Sequence, residues 1–330
     1  MNLKLRWGDF NMDYYGLFPK FRLQRPLNER EIEHQLHQHI RNDIPEEQLD
    51  SDRKVIVINS HYLELVDKFY YSKGLLSFVS SLCSATFGSA LLFILYYCIF
   101  VADYSTEMLF FLLFVIPFLS GFICFALYTL KKEWFAWTHY PIRFDRKNRL
   151  VYAYRIDGSI ITAKWDDIFF TSGLFYKKSM KDEYYISGHI LDKKKNTIID
   201  TFCLPATSFN QTELLAHWEF VRRYMEDGPQ DIIHHIDFCL PIEHKKERIW
   251  FSFFYLLTNL GGRSILFLPV SLPLTVILGI PRCIAVLTSR RPVWPENIQK
   301  KSTEDTKDPY FFDVSKNPKH LLIYWFCNKK

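Results

Sequence analysis

Two long uncharged apolar stretches lie close together in the first half of the chain, one from Gly74 to Ala102 and the other from Met108 to Leu130. A helix needs about 20 apolar residues to cross a bilayer core of roughly 30 Å, and both stretches exceed that length. The polar residues between them, Asp103 to Glu107, leave room only for a tight turn. The pattern predicts a transmembrane helical hairpin over residues 71–132.

Basic residues flank this hairpin at both ends. Lys68 and Lys73 precede the first stretch, and Lys131 and Lys132 follow the second. Cytoplasmic flanks of membrane helices carry an excess of Lys and Arg. Both ends of the hairpin are therefore expected in the cytoplasm.

A third apolar region runs from Ile249 to Leu287. If its stretch from Ser264 to Ile280 spanned the membrane, Arg290 and Arg291 would lie outside, against the distribution of basic residues just described. We therefore interpret residues 245–290 as a re-entrant or interfacial pair of broken helices, which protein or water must shield. Whether this region spans the membrane stays open at this point.

Glycine, proline and arginine interrupt the third region. The candidate gating or re-entrant positions are Gly261, Gly262, Arg263, Pro269 and Pro273. Ionisable groups in apolar segments are costly, and we read Arg282 as snorkelling to lipid headgroups. For Arg263, snorkelling and a functional role are equally open.

Between the apolar regions the pattern changes to short alternating stretches, which predict strands. They lie at 142–145, 150–154, 160–165, 184–190 and 197–204, and Asp157-Gly158 is a strong hairpin signal between two of them. A helix is predicted to begin after Asn210, with Glu213 completing a capping box. Residues 140–228 thus form a small cytoplasmic module of antiparallel sheet and helix, and the fold class is an α+β membrane protein.

The two ends of the chain are polar. Residues 1–70 are predicted as a polar N-terminal segment, with a helix from Leu27 to Arg41 and a short strand at 54–59. Residues 291–330 are a polar C-terminal tail. Met1 to Arg22 has no apolar core, so no signal peptide is expected.

Composition limits the possible functions. Mean hydropathy is -0.07, which fits membrane segments joined to a substantial water-facing part and not a polytopic transporter. The net charge of +5 is dispersed along the chain, so we expect no nucleic-acid partner. Seven cysteines show no metal-ligand spacing, and their odd number argues against a disulfide framework.

Small residues recur on one face of the first apolar helix at spacings of three and four residues. They are Gly74, Ser77, Ser81, Ser84 and Gly88. Such a face packs closely against a neighbouring helix. It would instead line a path for water if several copies assembled, and both interpretations, helix packing and pore lining, stay open.

No sequence motif for catalysis is found. The chain has no nucleophile elbow, phosphate-binding loop, dinucleotide fingerprint or zinc-protease motif. His34, His37 and His39 lack the carboxylate pattern of a catalytic zinc site. We therefore expect no enzymatic activity, no cofactor and no metal.

Several short motifs resemble an uncharacterised bacterial membrane family found near type VI secretion loci, some members of which are pore-forming antibacterial effectors. The motifs are 62–67 (YLELVD), 151–155 (VYAYR), 164–167 (KWDD), Gly261-Gly262-Arg263 and 291–295 (RPVWP). The resemblance implies a toxin that inserts into the inner membrane of a target cell, forms homo-oligomers and depolarises it. It also implies membrane lipid as a partner, with a cognate immunity protein, a chaperone or a secretion-apparatus component as further partners. It supplies no catalytic residues.

The alternative is a resident inner-membrane protein, an immunity protein or a scaffold, whose cytoplasmic module binds a partner. It uses the same hairpin but needs no pore.

Overall fold

The computed structural model describes residues 22–101, 105–175, 183–192, 194–260, 265–302 and 307–317. In this part of the chain the fold is α+β, with two antiparallel sheets and three helices long and apolar enough to cross a membrane. Several positions singled out in the sequence lie outside the described residues: the N-terminus up to residue 21, the start of the turn at 102–104, and Gly261, Gly262 and Arg263.

The described helices and strands follow one another along the chain. The strands are β1 Gln35–Leu36, β2 Val55–Ile58, β3 Tyr62–Leu65, β4 Ile142–Asp145, β5 Leu150–Tyr154, β6 Ile160–Lys164, β7 Ile168–Phe175, β8 Glu183–Asp192 and β9 Thr197–Ser208. The helices are α1 Glu29–Glu33, α2 Phe69–Ser72, α3 Leu75–Phe100, α4 Thr106–Leu130, α5 Gln211–Glu226, α6 Ile249–Asn259, α7 Leu268–Thr288 and α8 Glu296–Lys301.

The chain divides into two compact units. The described part of the first, the sheet unit, comes from Met1–Tyr70, His139–Lys245 and Pro292–Lys319. The described part of the second, the helical unit, comes from Tyr71–Thr138 and Lys246–Arg291. The polar segments at the two ends of the chain therefore contribute to the same unit as the predicted module at 140–228.

The sheet unit contains two sheets. One has the strand order β2-β3-β4-β5-β6 and the other β1-β7-β8-β9. In the first sheet β3 pairs with β4, with Tyr62 opposite Asp145 and Leu65 opposite Ile142. Because these neighbouring strands are far apart in sequence, the predicted membrane hairpin is an insertion between them.

A cluster of aromatic side chains forms the core of the sheet unit. Trp165 and Trp218 are fully buried with their ring centres 5.8 Å apart, and Phe170 lies 4.8 Å from Trp218. Trp218 belongs to α5, whose apolar residues Leu214, Val221 and Tyr224 are also buried. Trp165 and Trp218 therefore hold α5 against the sheets.

Tertiary hydrogen bonds change two local predictions. α1 ends at Glu33 instead of continuing to Arg41, because Gln35 and Leu36 pair with β7 and Gln38 donates to the carbonyls of Trp165 and Ile168. The predicted capping box at α5 is wrong. Asn210 does cap α5, but Glu213 accepts a hydrogen bond from Ser208 Oγ.

Three of the described strands were not predicted, namely β1, β3 and β7. β7 has no alternation of apolar and polar residues, and Gly173 lowers its intrinsic preference for a strand. Its pairing with both β1 and β8 fixes it in the sheet.

Glu31 gives the sheet unit a specific acid sensitivity. Burial raises the pKa of its carboxyl, but hydrogen bonds from Arg25 and the Asn28 backbone, together with His189 at 3.5 Å, outweigh burial and lower that pKa from 4.5 to about 2. The unfolded chain therefore binds this proton more readily. The difference corresponds to on the order of 3 kcal/mol of folding stability, present above about pH 4.5 and lost as the pH falls through about 2.

We expect Glu31→Gln to lower the free energy of unfolding by up to roughly that amount at about pH 6. The gap between variant and parent should narrow as the pH falls, since the parent then loses its carboxylate as well. Denaturant unfolding at a series of pH values measures this, with Glu33→Gln in the same helix, where the side chain is exposed, as the control. A gap that does not change with pH would contradict the assignment.

In the helical unit, α3 and α4 pack side by side in opposite directions. Ser80 Oγ lies 2.8 Å from Thr129 Oγ1, and the rings of Phe87 and Phe122 stack at 4.8 Å. The first contact joins the start of α3 to the end of α4, and the second lies two turns further along α3. At about 1.5 Å per residue, the 26 residues of α3 extend for roughly 39 Å.

The third apolar region consists of α6 and α7. α7 runs without a break through Pro273 and Pro281, so these prolines do not divide it as the sequence suggested. Pro269 lies in its first turn, where the missing N–H has no helical partner to lose. α7 has 21 residues and qualifies by length and composition as a membrane span, whereas α6 has 11.

Candidate functional site

Four helix ends in the helical unit are joined by one group of buried polar residues, which we call the polar cluster. Its charged members are Lys73, Glu133, Glu247 and Arg282, each no more than 8% exposed. Ser77, Ser252 and Ser289 complete it. The cluster joins the start of α3, the end of α4, the start of α6 and the end of α7, and we call this end of the unit the shared end.

Arg282 and Glu247 form the central ion pair. Arg282 is fully buried, and its Nε and a terminal nitrogen donate to the two carboxylate oxygens of Glu247 at 2.8 and 3.0 Å. Ser252 Oγ also donates to Glu247, at 2.6 Å. The guanidinium lies 5.2 Å from the ring centre of Tyr255. The snorkelling predicted for Arg282 is therefore wrong, because the side chain is paired inside the unit.

Arg282 also links α7 to the segment before α3. Its other terminal nitrogen donates to the carbonyls of Tyr71 and Lys73, at 3.4 and 3.3 Å. A Cβ on Gly74 would lie 2.5 Å from the Arg282 Cα, and Gly74 has a φ of +95°. Only glycine meets both conditions, the close approach and the left-handed backbone.

Glu133 caps the start of α3. Its carboxylate accepts hydrogen bonds from the backbone N–H of Gly74 and Ser77 at 3.1 and 2.8 Å, and from Ser77 Oγ at 2.5 Å. A carboxylate at a helix N-terminus satisfies free N–H groups and interacts favourably with the helix dipole. Ser289 Oγ donates to the Glu133 carbonyl at 2.9 Å, so Glu133 joins three helix ends.

The small-residue face of α3 divides into two parts. Gly74 and Ser77 belong to the polar cluster, where they serve helix packing. Ser81 is exposed, Ser84 Oγ has no hydrogen-bond partner among the described residues, and a Cβ on Gly88 would meet no atom within 4 Å. This second part, which we call the open face of α3, is partly uncovered within one chain, although Ser84 Oγ itself is buried.

The other predicted positions on α7 are not brought to the polar cluster. Pro269 and Pro273 lie in the first two turns of α7, far along the helix from Arg282, and both are exposed.

The packing face of α7 was not predicted. Ser271, Thr275, Gly279 and Cys283 recur every four residues and are all buried. A Cβ on Gly279 would lie 2.3 Å from the Phe253 ring of α6. The spacing of small residues was present in the sequence and could have identified this face.

Glu133 and Glu247 were also not predicted as functional residues. Each carboxylate stands beside basic residues at a helix end, Glu133 after Lys131-Lys132 and Glu247 before Arg248. An acidic residue in a basic flank was the available signal.

The sheet unit has its own buried ion pair. Arg143 on β4 donates to Glu64 on β3 at 2.8 and 2.6 Å, and Trp294 Nε1 donates to the same Glu64 oxygen at 3.0 Å. The guanidinium also lies 4.3 Å from the ring centre of Tyr62. Burial lowers the pKa of Arg143, but the Glu64 carboxylate outweighs it and raises that pKa above its ordinary value.

One group in the described part of the chain has the residue types of a metal site. His39 lies 3.4 Å from both Asp166 and Glu226. However, Arg149 donates to these two carboxylates at 2.5 and 2.8 Å. The guanidinium therefore supplies the positive charge that a metal would bring, and its hydrogen bond lowers the pKa of Asp166.

The fold and the polar cluster define an α+β protein with three helices that could cross a membrane. The chain belongs to a family of unknown function (DUF6708), whose model matches residues 119–306, more than half of the chain. Comparisons with curated proteins and with solved structures found no significant match. The matched range contains Glu133, Glu247 and Arg282, while Gly74 and Ser77 precede it.

Proposed function

We propose that this protein is a resident membrane protein whose helical unit anchors the sheet unit at one membrane face, where the sheet unit binds a partner as an immunity protein or scaffold. The polar cluster is the observation that carries this proposal. It gathers the start of α3, the end of α4, the start of α6 and the end of α7, so each helix pair leaves and returns at one end.

This arrangement agrees with the distribution of basic residues along the chain. Those that flank all four helix ends, Lys73, Lys131, Lys246 and Arg290 among them, belong to the shared end and therefore to one side of a membrane. Because hydrogen bonds hold the start of α6 beside the end of α7, Lys246 and Arg290 lie on the same side of the membrane if α7 crosses it. The shared end is then cytoplasmic.

The hydroxyl groups of α3 and α7 favour an anchor over a pore. Ser77 and Ser80 bond to Glu133 and Thr129, and Thr275 donates to the Ser271 carbonyl at 2.7 Å. Because these hydroxyl groups are buried inside the helical unit as well as hydrogen-bonded, they are not available to line a path for water. The hydrogen bonds from Arg282 to the Tyr71 and Lys73 carbonyls also fasten the second helix pair to the first, whereas a protein that inserts on arrival has to separate the two pairs.

A second candidate function is the membrane-inserting, pore-forming antibacterial effector of a type VI secretion system. The open face of α3 favours it, since Ser81 is exposed, Gly88 has open space beside it, and the buried Ser84 Oγ has no hydrogen-bond partner among the described residues. Several copies packed around this face would enclose hydroxyl groups. The inner membrane of the target cell would then lose its potential.

Induced expression in a sensitive bacterium separates the two functions. A potential-sensitive dye and a large impermeant dye are read together, with the protein confirmed in the membrane fraction. The anchor predicts polarised cells that exclude the large dye. The pore would replace the anchor if the wild-type protein depolarises the cells and Ser81→Leu abolishes this depolarisation. The control variant Lys194→Gln, on the sheet unit, should then depolarise the cells as the wild-type protein does.

A further inference from the structure

The shared end carries an exposed rim of aromatic and basic side chains. Its members are Lys131, Phe135, Arg248, Trp250 and Arg290, all exposed. Trp250 is 85% exposed and Phe135 is 68% exposed. We call this group the aromatic-basic rim.

Hydrogen bonds hold the rim segments against one another. Arg290 N donates to the Ala136 carbonyl and Thr138 N to the Arg290 carbonyl, both at 2.7 Å. Lys246 Nζ donates to the Leu287 carbonyl at 2.7 Å, which ties the start of α6 to the end of α7. The chain segments that contain Phe135, Arg248 and Arg290 are therefore held together.

Phe135 is held in an unfavourable backbone conformation. Its φ is +62°, in the left-handed region that a bulky side chain rarely adopts. Its side chain is exposed, so burial within the chain does not offset this strain. Strain retained at an exposed aromatic residue points to a role outside the folded chain.

The basic side chains Arg248 and Arg290 of the rim are also exposed. Among the described residues, neither Arg248 nor Arg290 forms an ion pair, although carboxylates lie in the same unit. Aromatic side chains prefer the headgroup level of a bilayer, and basic side chains there attract anionic lipid. The rim combines both types at one end of three candidate membrane helices.

We propose that the aromatic-basic rim binds anionic phospholipid headgroups, with Phe135 and Trp250 inserted beside them and Arg248 and Arg290 on the phosphates. This inference rests on the proposed function, because it requires the helical unit to lie in a membrane. It adds the lipid class that the shared end selects.

Quenching by brominated lipid tests the proposal. The full chain is reconstituted in phosphatidylcholine vesicles with increasing fractions of brominated phosphatidylglycerol, and the tryptophan signal that Trp250→Phe removes is followed. Each of Arg248→Gln and Arg290→Gln should raise the phosphatidylglycerol fraction for half-maximal quenching about fivefold at low salt, as expected for a basic residue near an anionic surface. The matched control is Lys194→Gln, on an exposed turn of the sheet unit.

Phe135→Gly separates lipid binding from packing. Glycine tolerates the left-handed conformation, so the thermal midpoint in detergent should stay the same or rise. The half-maximal phosphatidylglycerol fraction should rise nonetheless. A lower thermal midpoint without a change in the lipid response would assign Phe135 to internal packing and overturn its part of the proposal.

The remaining outcomes are distinct. Half-maximal fractions that are the same for the arginine variants and the control overturn the lipid site, as does competition by inorganic phosphate at equal concentration. Extraction of the chain from membranes by alkaline carbonate instead overturns the proposed function itself. If the chain resists extraction but shows no preference for phosphatidylglycerol, the proposed membrane anchor is retained and only lipid binding by the aromatic-basic rim is rejected.

Discussion

Replacing Arg282 with methionine is expected to destabilise the helical unit by about 3–5 kcal/mol, the usual cost of leaving a buried charge without its partner. The substitution removes both guanidinium hydrogen bonds from the buried Glu247 carboxylate. It also removes the hydrogen bonds to the Tyr71 and Lys73 carbonyls. Hydrogen exchange of the α6 and α7 amides in mild detergent, with chemical unfolding of the same sample, measures the loss.

Two variants show whether the charge is responsible. Arg282→Met combined with Glu247→Gln should recover much of the lost stability, because the second substitution removes the unpaired carboxylate. Arg290→Met, at an exposed residue of the same unit, should change stability by less than about 0.5 kcal/mol. If the double variant is no more stable than the single one, the loss comes from packing and not from the ion pair.

Replacing Arg143 with methionine should have a similarly large effect in the sheet unit, again about 3–5 kcal/mol. Glu64 would keep the Trp294 indole as a hydrogen-bond donor but lose the guanidinium, in a site where both charged side chains are almost fully buried. The strands β3 and β4 meet at this pair, so their amides should lose protection from hydrogen exchange first.

A matched arginine on the surface is the control for this prediction. Arg149 also bonds to two carboxylates, but its side chain is 38% exposed. Solvent screens such pairs, and Arg149→Met should cost about 1 kcal/mol or less. Equal losses for the two variants in denaturant unfolding would contradict the dependence on burial.

How far the sequence predicts this fold depends on the range of the interactions concerned. The positions of α3, α4 and α5 follow from apolar periodicity and length, which are properties of consecutive residues. β4, β5 and β6 follow from alternation and from the turn at Asp157-Gly158. These elements form with their own neighbours in the chain, so their boundaries could be read within a few residues.

The failures share a different cause. α1 is shorter than predicted because Gln38 bonds to carbonyls more than a hundred residues away, and β7 is a strand because β1 and β8 pair with it. α7 stays whole despite Pro273 and Pro281. In each case contacts remote in sequence outweigh the local preference.

The candidate site divides in the same way. The small residues on α3 were identified, but their spacing could not tell which of them would pack and which would stay open. Gly74 and Ser77 acquire a packing role only because Glu133 and Arg282 reach them.

The sequence by itself determined that this chain is an α+β protein with apolar helices of membrane length and basic flanks, because hydrophobicity and charge act residue by residue. Only the tertiary structure decided that two helix pairs share one end and that Arg282 is paired instead of exposed. It also decided that the chain before the hairpin completes a sheet with strands beyond it. Those features require carboxylates, carbonyls and strands from distant parts of the chain to meet, and no pattern of neighbouring residues specifies such meetings.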